Sequence, residues 1–155
     1  MAHRSVQYYS VSPKGFEAMR NLQGYVEQSG LEHSLLELVK MRASQINGCA
    51  YCLDMHSKDA RAMGETEQRL YGLNAWREAP YYTARERAAL AWTEAVTRVS
   101  KGVPEDAEAE AHKQFSEKEL VDLTFAIIAI NGWNRLAIPF HSKAGDYVSP
   151  IKKKE

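Results

Sequence analysis

Asn47-Gly48-Cys49-Ala50-Tyr51-Cys52-Leu53-Asp54-Met55-His56 is the stretch on which the reading of this chain turns. Asn-Gly is a turn signal. The residues after it read as an amphipathic helix over 49–63, stopped by Gly64. At about 100° per residue, positions i, i+3 and i+7 share one helical face. Cys49, Cys52 and His56 hold those positions, so two thiols and an imidazole line one stripe. Both cysteines of the chain lie here. One close pair is no disulfide scaffold, and it reads as a redox or metal-binding site.

The pattern stays helical on both sides of this stretch. A helix over 34–45 precedes it, with Leu35, Leu36, Leu38, Val39 and Ile46 as its apolar face. A short helix over 16–28 ends at Ser29-Gly30, and residues 1–15, punctuated by Pro13 and Gly15, read as an irregular N-terminal arm. Downstream, a helix over 66–77 is broken by Ala79-Pro80. Thr83-Ala84-Arg85-Glu86 has the form of a capping box, opening a helix that runs to about 100 and ends near Gly102. A short helix spans 104–115. Ser116-Glu117-Lys118-Glu119 is a second capping box. The helix behind it, to about 138, carries Leu120, Leu123, Phe125, Ile127, Ile128 and Ile130 as a central core element. Residues 142–155 read as an irregular tail. No alternating strand pattern of useful length occurs, so the fold class is all-α.

Length and composition bound the function. The 155 residues suit one domain over 1–155 with a real core. Hydrophobic residues at 45% and charged residues at 26% are ordinary for a soluble globular protein. Twenty basic residues balance twenty acidic ones, which offers no electrostatic case for nucleic acid. Lys152-Lys153-Lys154 reads as a solvated tail. The longest apolar run, Phe125 to Ile130, is far too short to span a membrane, and residues 1–10 lack the apolar core of a signal peptide. The expected compartment is the cytoplasm, where a close thiol pair can cycle between dithiol and disulfide.

A cysteine reacts as thiolate, against an ordinary pKa of about 8.5. The first turn of a helix favours negative charge, and His56, four residues after Cys52, can take the thiol proton. Such a thiolate attacks an electrophilic oxygen or sulfur, and the second cysteine closes the disulfide. Other readings stand beside this one. The pair can be small buried hydrophobes. It can belong to a structural zinc site, which needs four ligands where this stretch offers three, with His33, His112 or His141 as the fourth. Covalent haem is excluded because Leu53 follows Cys52. A thioredoxin fold is excluded because no βαβ pattern surrounds the pair. Glu37 has two possible roles. In Ser34-Leu35-Leu36-Glu37 its carboxylate can close a capping box. If the helices pack as a hairpin about Asn47-Gly48, it can instead orient His56.

Glu37, Cys49, Cys52 and His56 at this spacing resemble the signature of AhpD-like alkylhydroperoxidases, within the wider carboxymuconolactone decarboxylase-like superfamily. The string from Leu38 to Cys52 is similar to that family's most typical stretch, and the specific part covers about 31–63. Ala89-Leu90-Ala91-Trp92-Thr93-Glu94-Ala95 and Leu120-Val121-Asp122-Leu123 extend the likeness over most of the chain. The resemblance implies an AhpD-like helical bundle with the Cys-x-x-Cys at the N-terminus of a central helix. It implies assembly into a homo-oligomer (dimer, trimer or hexamer). It also implies roles. Cys52 would attack a hydroperoxide and become a sulfenic acid. Cys49 would resolve it as a disulfide. His56 and Glu37 would relay protons. An external dithiol, in some members on a lipoyl-bearing protein, would recycle the pair, with no bound cofactor and no metal.

The chain departs from the pattern at Tyr51, where the best-studied type has histidine. A phenol with a pKa of about 10 is a poor base near neutrality, so the implied relay is shorter. The superfamily also includes lactone decarboxylases, which use no redox thiol pair. A non-enzymatic redox sensor or a zinc-stabilised binding module are further alternatives. Asn131, Trp133, Asn134 and Arg135 read as a helix end meeting solvent, with the lining of a site or an interface as the alternative. Tyr8, Tyr9, Tyr81 and Tyr82 read as packing or interface residues.

Overall fold

Ser116 and Glu119 close the expected capping box: each backbone N–H donates to the other's side chain, at 2.8 and 3.3 Å. They open the longest helix of the computed structural model, which describes residues 5–151. Among the described residues eight α-helices follow one another: α1 Tyr8–Val11, α2 Pro13–Glu27, α3 His33–Asn47, α4 Ala50–Ala62, α5 Glu67–Tyr71, α6 Ala84–Thr97, α7 Glu105–Gln114 and α8 Glu117–Ala137. Single 3₁₀ turns stand at Leu73–Ala75 and Val99–Lys101. No strand occurs among the described residues, and the fold is all-α. None of their helices is long and apolar enough to cross a membrane. The Lys152–Lys154 run and residues 1–4 lie outside the described residues.

α3 is the hub. It packs against α4, α6 and α8. A helix contacted on several sides must be apolar around most of its circumference, and Leu35, Leu36, Leu38, Val39, Met41 and Ala43 are all buried. On one side Leu36, Val39, Ala89, Leu123 and Ile127 form the main core; on the other Leu38, Met41, Ala60, Leu73, Trp76 and Leu90 form a second. α8 turns Leu120, Leu123, Ala126, Ile127 and Ile130 inward. Phe125 and Ile128, expected in that core, are exposed because they lie on the opposite face with Val121. There Phe125 meets Tyr25 edge to face, ring centroids 5.9 Å apart.

Three local expectations are corrected. The arm is not irregular where it is described. Pro13 starts α2 rather than punctuating a loop, because a helix's first turn needs no N–H from it. An aromatic group of Tyr8, Phe16, Trp133 and Phe140 then holds α1 and α2 against the end of α8. The helix expected over 66–77 is cut at Gly72, where the Tyr81 hydroxyl fills the space a Cβ would need. Of the polar group at 131–135, Arg135 is exposed as expected, whereas Asn131, Trp133 and Asn134 are drawn into the fold. Asn134 is buried and donates to Ser44 Oγ at 3.1 Å. The Asn47 amide donates to Asn131 and Asn134 at 2.9 and 2.8 Å, pinning the end of α3 to α8.

The α3–α4 hairpin is closed by a glycine in the left-handed region. Gly48 has φ 71° and ψ 35°. Its N–H donates to Gln45 O at 3.3 Å, and that of Cys49 to Ser44 O at 3.0 Å. These two bonds satisfy carbonyls that a helix end leaves open, and a side chain at position 48 would cost on the order of 1 kcal/mol. The turn lays α4 back along α3, which brings residue 56 beside residue 37.

Candidate active site

Cys49 is the N-cap of α4, and its Sγ accepts the backbone N–H of Cys52 at 3.3 Å. Sulfur here does the work an oxygen usually does at a helix start. The two cysteines, with Cα atoms 5.3 Å apart, are joined as a disulfide. Each is 1% exposed, covered by Ala137 of α8 and by Tyr51. One turn beyond Cys52 on the same stripe stands His56, 7% exposed.

The structure decides between the two roles weighed for Glu37. α3 begins at His33 with Glu32 as N-cap and no side-chain cap bond, so Ser34 and Glu37 form no capping box. Glu37 Oε2 lies 2.9 Å from His56 Nδ1. Its other oxygen accepts from Lys40 Nζ at 2.7 Å, and all three side chains are buried. Burial alone pushes the Glu37 carboxyl up. The His56 hydrogen bond and the charges of His56 and Lys40 outweigh that and hold it below the usual carboxylate range. In a neutral imidazole bonded this way, Nδ1 carries the proton and Nε2 is free to act as base. Tyr51 is pushed up by burial and by Tyr8, Asp54 and Tyr9, so it keeps its proton near neutrality.

Among the described residues, the metal-type ligand atoms that gather are those of Glu37, His56 and Asp59, within 4.8 Å of one another. Both Glu37 oxygens are already taken by Lys40 and His56. Sequence reasoning missed three residues here. Lys40 is three after Glu37 on α3, and Asp59 is seven after Cys52 on α4; helical spacing could have found both. Tyr147, whose hydroxyl donates to Asp59, arrives from the tail and carries no such signal. The tail is irregular as expected over its described part, yet it lies along α4, held by Asp54, Lys58 and Asp59.

Residues 13–95 match the model of the Carboxymuconolactone decarboxylase family. YdfG of Bacillus subtilis (strain 168), an uncharacterised protein, is 44% identical over 140 residues, which are 90% of this chain and 95% of that protein. Among solved structures, ATU0492 of Agrobacterium tumefaciens is 46% identical and superposes with a TM-score of 0.89, over 93% of this chain and 99% of that one. It is a protein of unknown function proposed to be the antioxidant defence protein AhpD. The debrominase Bmp8 shares the fold, with a TM-score of 0.80 over 88% of this chain and 74% of its own, at 20% identity. The family match runs from the start of α2 into α6 and hence covers the whole hairpin that carries Glu37, Cys49, Cys52 and His56. With the helical architecture shared along nearly all of ATU0492, the chain belongs to the carboxymuconolactone decarboxylase family and has an AhpD-like fold.

Proposed function

We propose that this protein is a thiol-dependent peroxidase that reduces hydroperoxides through Cys49 and Cys52. The observation that carries the reading is the buried Glu37–His56 contact, one helical turn from a cysteine pair close enough to be disulfide-bonded. His56 takes the Cys52 proton, and Glu37 steadies the imidazolium that forms. The Cys52 thiolate attacks the distal peroxide oxygen. An S–O bond forms, the O–O bond breaks, and the alkoxide leaves with a proton as alcohol. Cys49 then attacks the sulfenic sulfur. The S–S bond forms, the S–O bond breaks, and water leaves. An external dithiol returns two electrons by thiol–disulfide exchange. Cys49, capping α4, is a good leaving thiolate in that step, because the helix start favours its charge. The relation to ATU0492 and its proposed antioxidant role supports the same reading.

The deciding experiment is the intact mass of the reduced protein before and after one equivalent of an organic hydroperoxide. Rapid loss of two hydrogens, reversed by dithiol, is expected. Unchanged mass with free thiols present would sink the peroxidase reading.

A further inference from the structure

Lys40 carries a buried ammonium that no step of the peroxidase chemistry uses. It is 7% exposed, and its Nζ donates to Glu37 Oε1 at 2.7 Å. Among the described residues two other lysines pair with a carboxylate three residues away, Lys113 with Glu110 and Lys143 with Asp146, and both pairs are exposed. At the surface such a pair costs little and contributes little. Burying one takes two charges out of water, and an apolar side chain of similar volume often serves a core as well or better. Stability is therefore a weak reason for a lysine at this position. Its chemistry points instead to the carboxylate it holds.

A buried carboxylate needs a positive partner. Glu37 has two candidates. Lys40, an ammonium, sits on one oxygen; His56, on the other, is charged only when it holds a second proton. Burial pushes the Glu37 carboxyl up, and the His56 hydrogen bond with the charges of His56 and Lys40 brings it below the usual range. Asp59 of α4 lies within 4.8 Å of the Glu37 and His56 ligand atoms and accepts from the Tyr147 hydroxyl. Burial pushes the Tyr51 and Tyr147 phenols up, so both stay neutral. Across a small cavity that Glu37 lines, Arg69 pairs with Glu65 and Glu86. Two carboxylates, Glu37 and Asp59, thus stand at the imidazole, and both favour its cation. Among the described residues, Lys40 is the lysine or arginine bonded to either of them.

We infer that Lys40 is a positioning residue of the relay: as the standing partner of Glu37, it leaves His56 free to be the neutral base. This rests on the part His56 plays in the peroxidase reading. Without the ammonium, the imidazole has to supply the charge that the buried carboxylate needs. It then holds its second proton more tightly and is less often able to take one from Cys52.

The test is the His56 titration, followed by imidazole NMR in the disulfide form, where the neighbouring cysteines do not titrate, beside the pH profile of hydroperoxide reduction. Lys40→Met and Lys40→Gln both remove the charge, and the amide of the second can still donate to Glu37. In each the His56 midpoint should rise by about one pH unit, a tenfold tighter hold on the proton. The acid limb of kcat/KM should move up with it, so that the rate on that limb falls about tenfold and recovers in alkali. Lys40→Arg keeps a cation and should titrate near the wild type. Neutral variants that titrate like the wild type would overturn the inference whatever their loss of stability, because a lysine that only packs moves stability alone. So would an arginine variant shifted as far as the neutral ones. The titration needs no peroxide turnover. If the midpoints move as expected while no form consumes hydroperoxide, the role of Lys40 toward His56 stands and the peroxidase reading falls.

Discussion

Glu37, on α3, and Glu94, on α6 and paired with Arg42 of α3, are both buried glutamates, and in both the carboxyl is held below its usual range against the push of burial. At Glu94, Arg42 and the Trp76 indole donate to Oε1 at 2.8 and 2.9 Å, and Arg77 donates to Oε2 at 2.7 Å. None of these donors changes protonation near neutrality. At Glu37 the partners are Lys40 and an imidazole, and the imidazole stands one turn from a cysteine. The first cluster can only hold α3, α6 and the Trp76 turn together. The second can pass a proton. Burial and a lowered pKa are thus common to a structural group and to the one proposed to be reactive; what separates them is a titratable partner beside a cysteine.

The sharpest break is Cys52→Ser. It should cut hydroperoxide consumption by on the order of 10³-fold or more while the fold and the Glu94 cluster stay intact by circular dichroism. In Cys49→Ser, a dimedone-type probe should capture a sulfenic acid on Cys52. Full turnover by Cys52→Ser would reverse the assigned roles. Next comes Glu94→Ala. It strands Arg42 and the Trp76 N–H and should cost about 3 kcal/mol in urea unfolding, with the rate per folded molecule unchanged. An altered rate would join the two clusters functionally.

Glu37→Gln is the mirror image. The rate should fall about 100-fold. The stability loss should be smaller than for Glu94→Ala, because the amide carbonyl still accepts from Lys40. A large stability loss with an unchanged rate would make Glu37 another structural glutamate. The smallest effect is in pH. Both folded pKa values are depressed, so both contributions are present above the ordinary carboxylate value of about 4.3 and are lost as pH falls through the folded values. Unfolding midpoints measured from pH 7 to pH 3 should drop at the acid end. Glu37→Gln and Glu94→Ala should each flatten that drop, and a drop unaltered by either would place the acid sensitivity elsewhere.

Much of this was legible in the sequence because it is local. Ser116 and Glu119, Thr83 and Glu86, and Gly48 signal their helix ends through chemistry within a few residues. The stripe of Cys49, Cys52 and His56 needs only the helical period. Misreadings came where a distant residue decided. The helix expected over 66–77 ends at Gly72, where the Tyr81 hydroxyl, nine residues on, takes the space of a Cβ. Asn47 reaches across to a half-buried Asn131 and a buried Asn134. On α8, the apolar run made Phe125 and Ile128 look like core, though only one face of that helix is covered.

The sequence by itself determined the all-helical class, the turn at Asn47-Gly48 and the alignment of two thiols with an imidazole, since each follows from periodicity and short-range hydrogen bonding. Tertiary structure alone decided which partner Glu37 takes. Its carboxylate had a local partner in Ser34 and a distant one in His56, and the packing of α4 on α3 gave it to His56. The same packing set Asp59 beside the pair and brought Tyr147 back from the far end of the chain, 88 residues away in sequence. Such pairs are fixed by the closure of the whole core, and no period in the sequence encodes them.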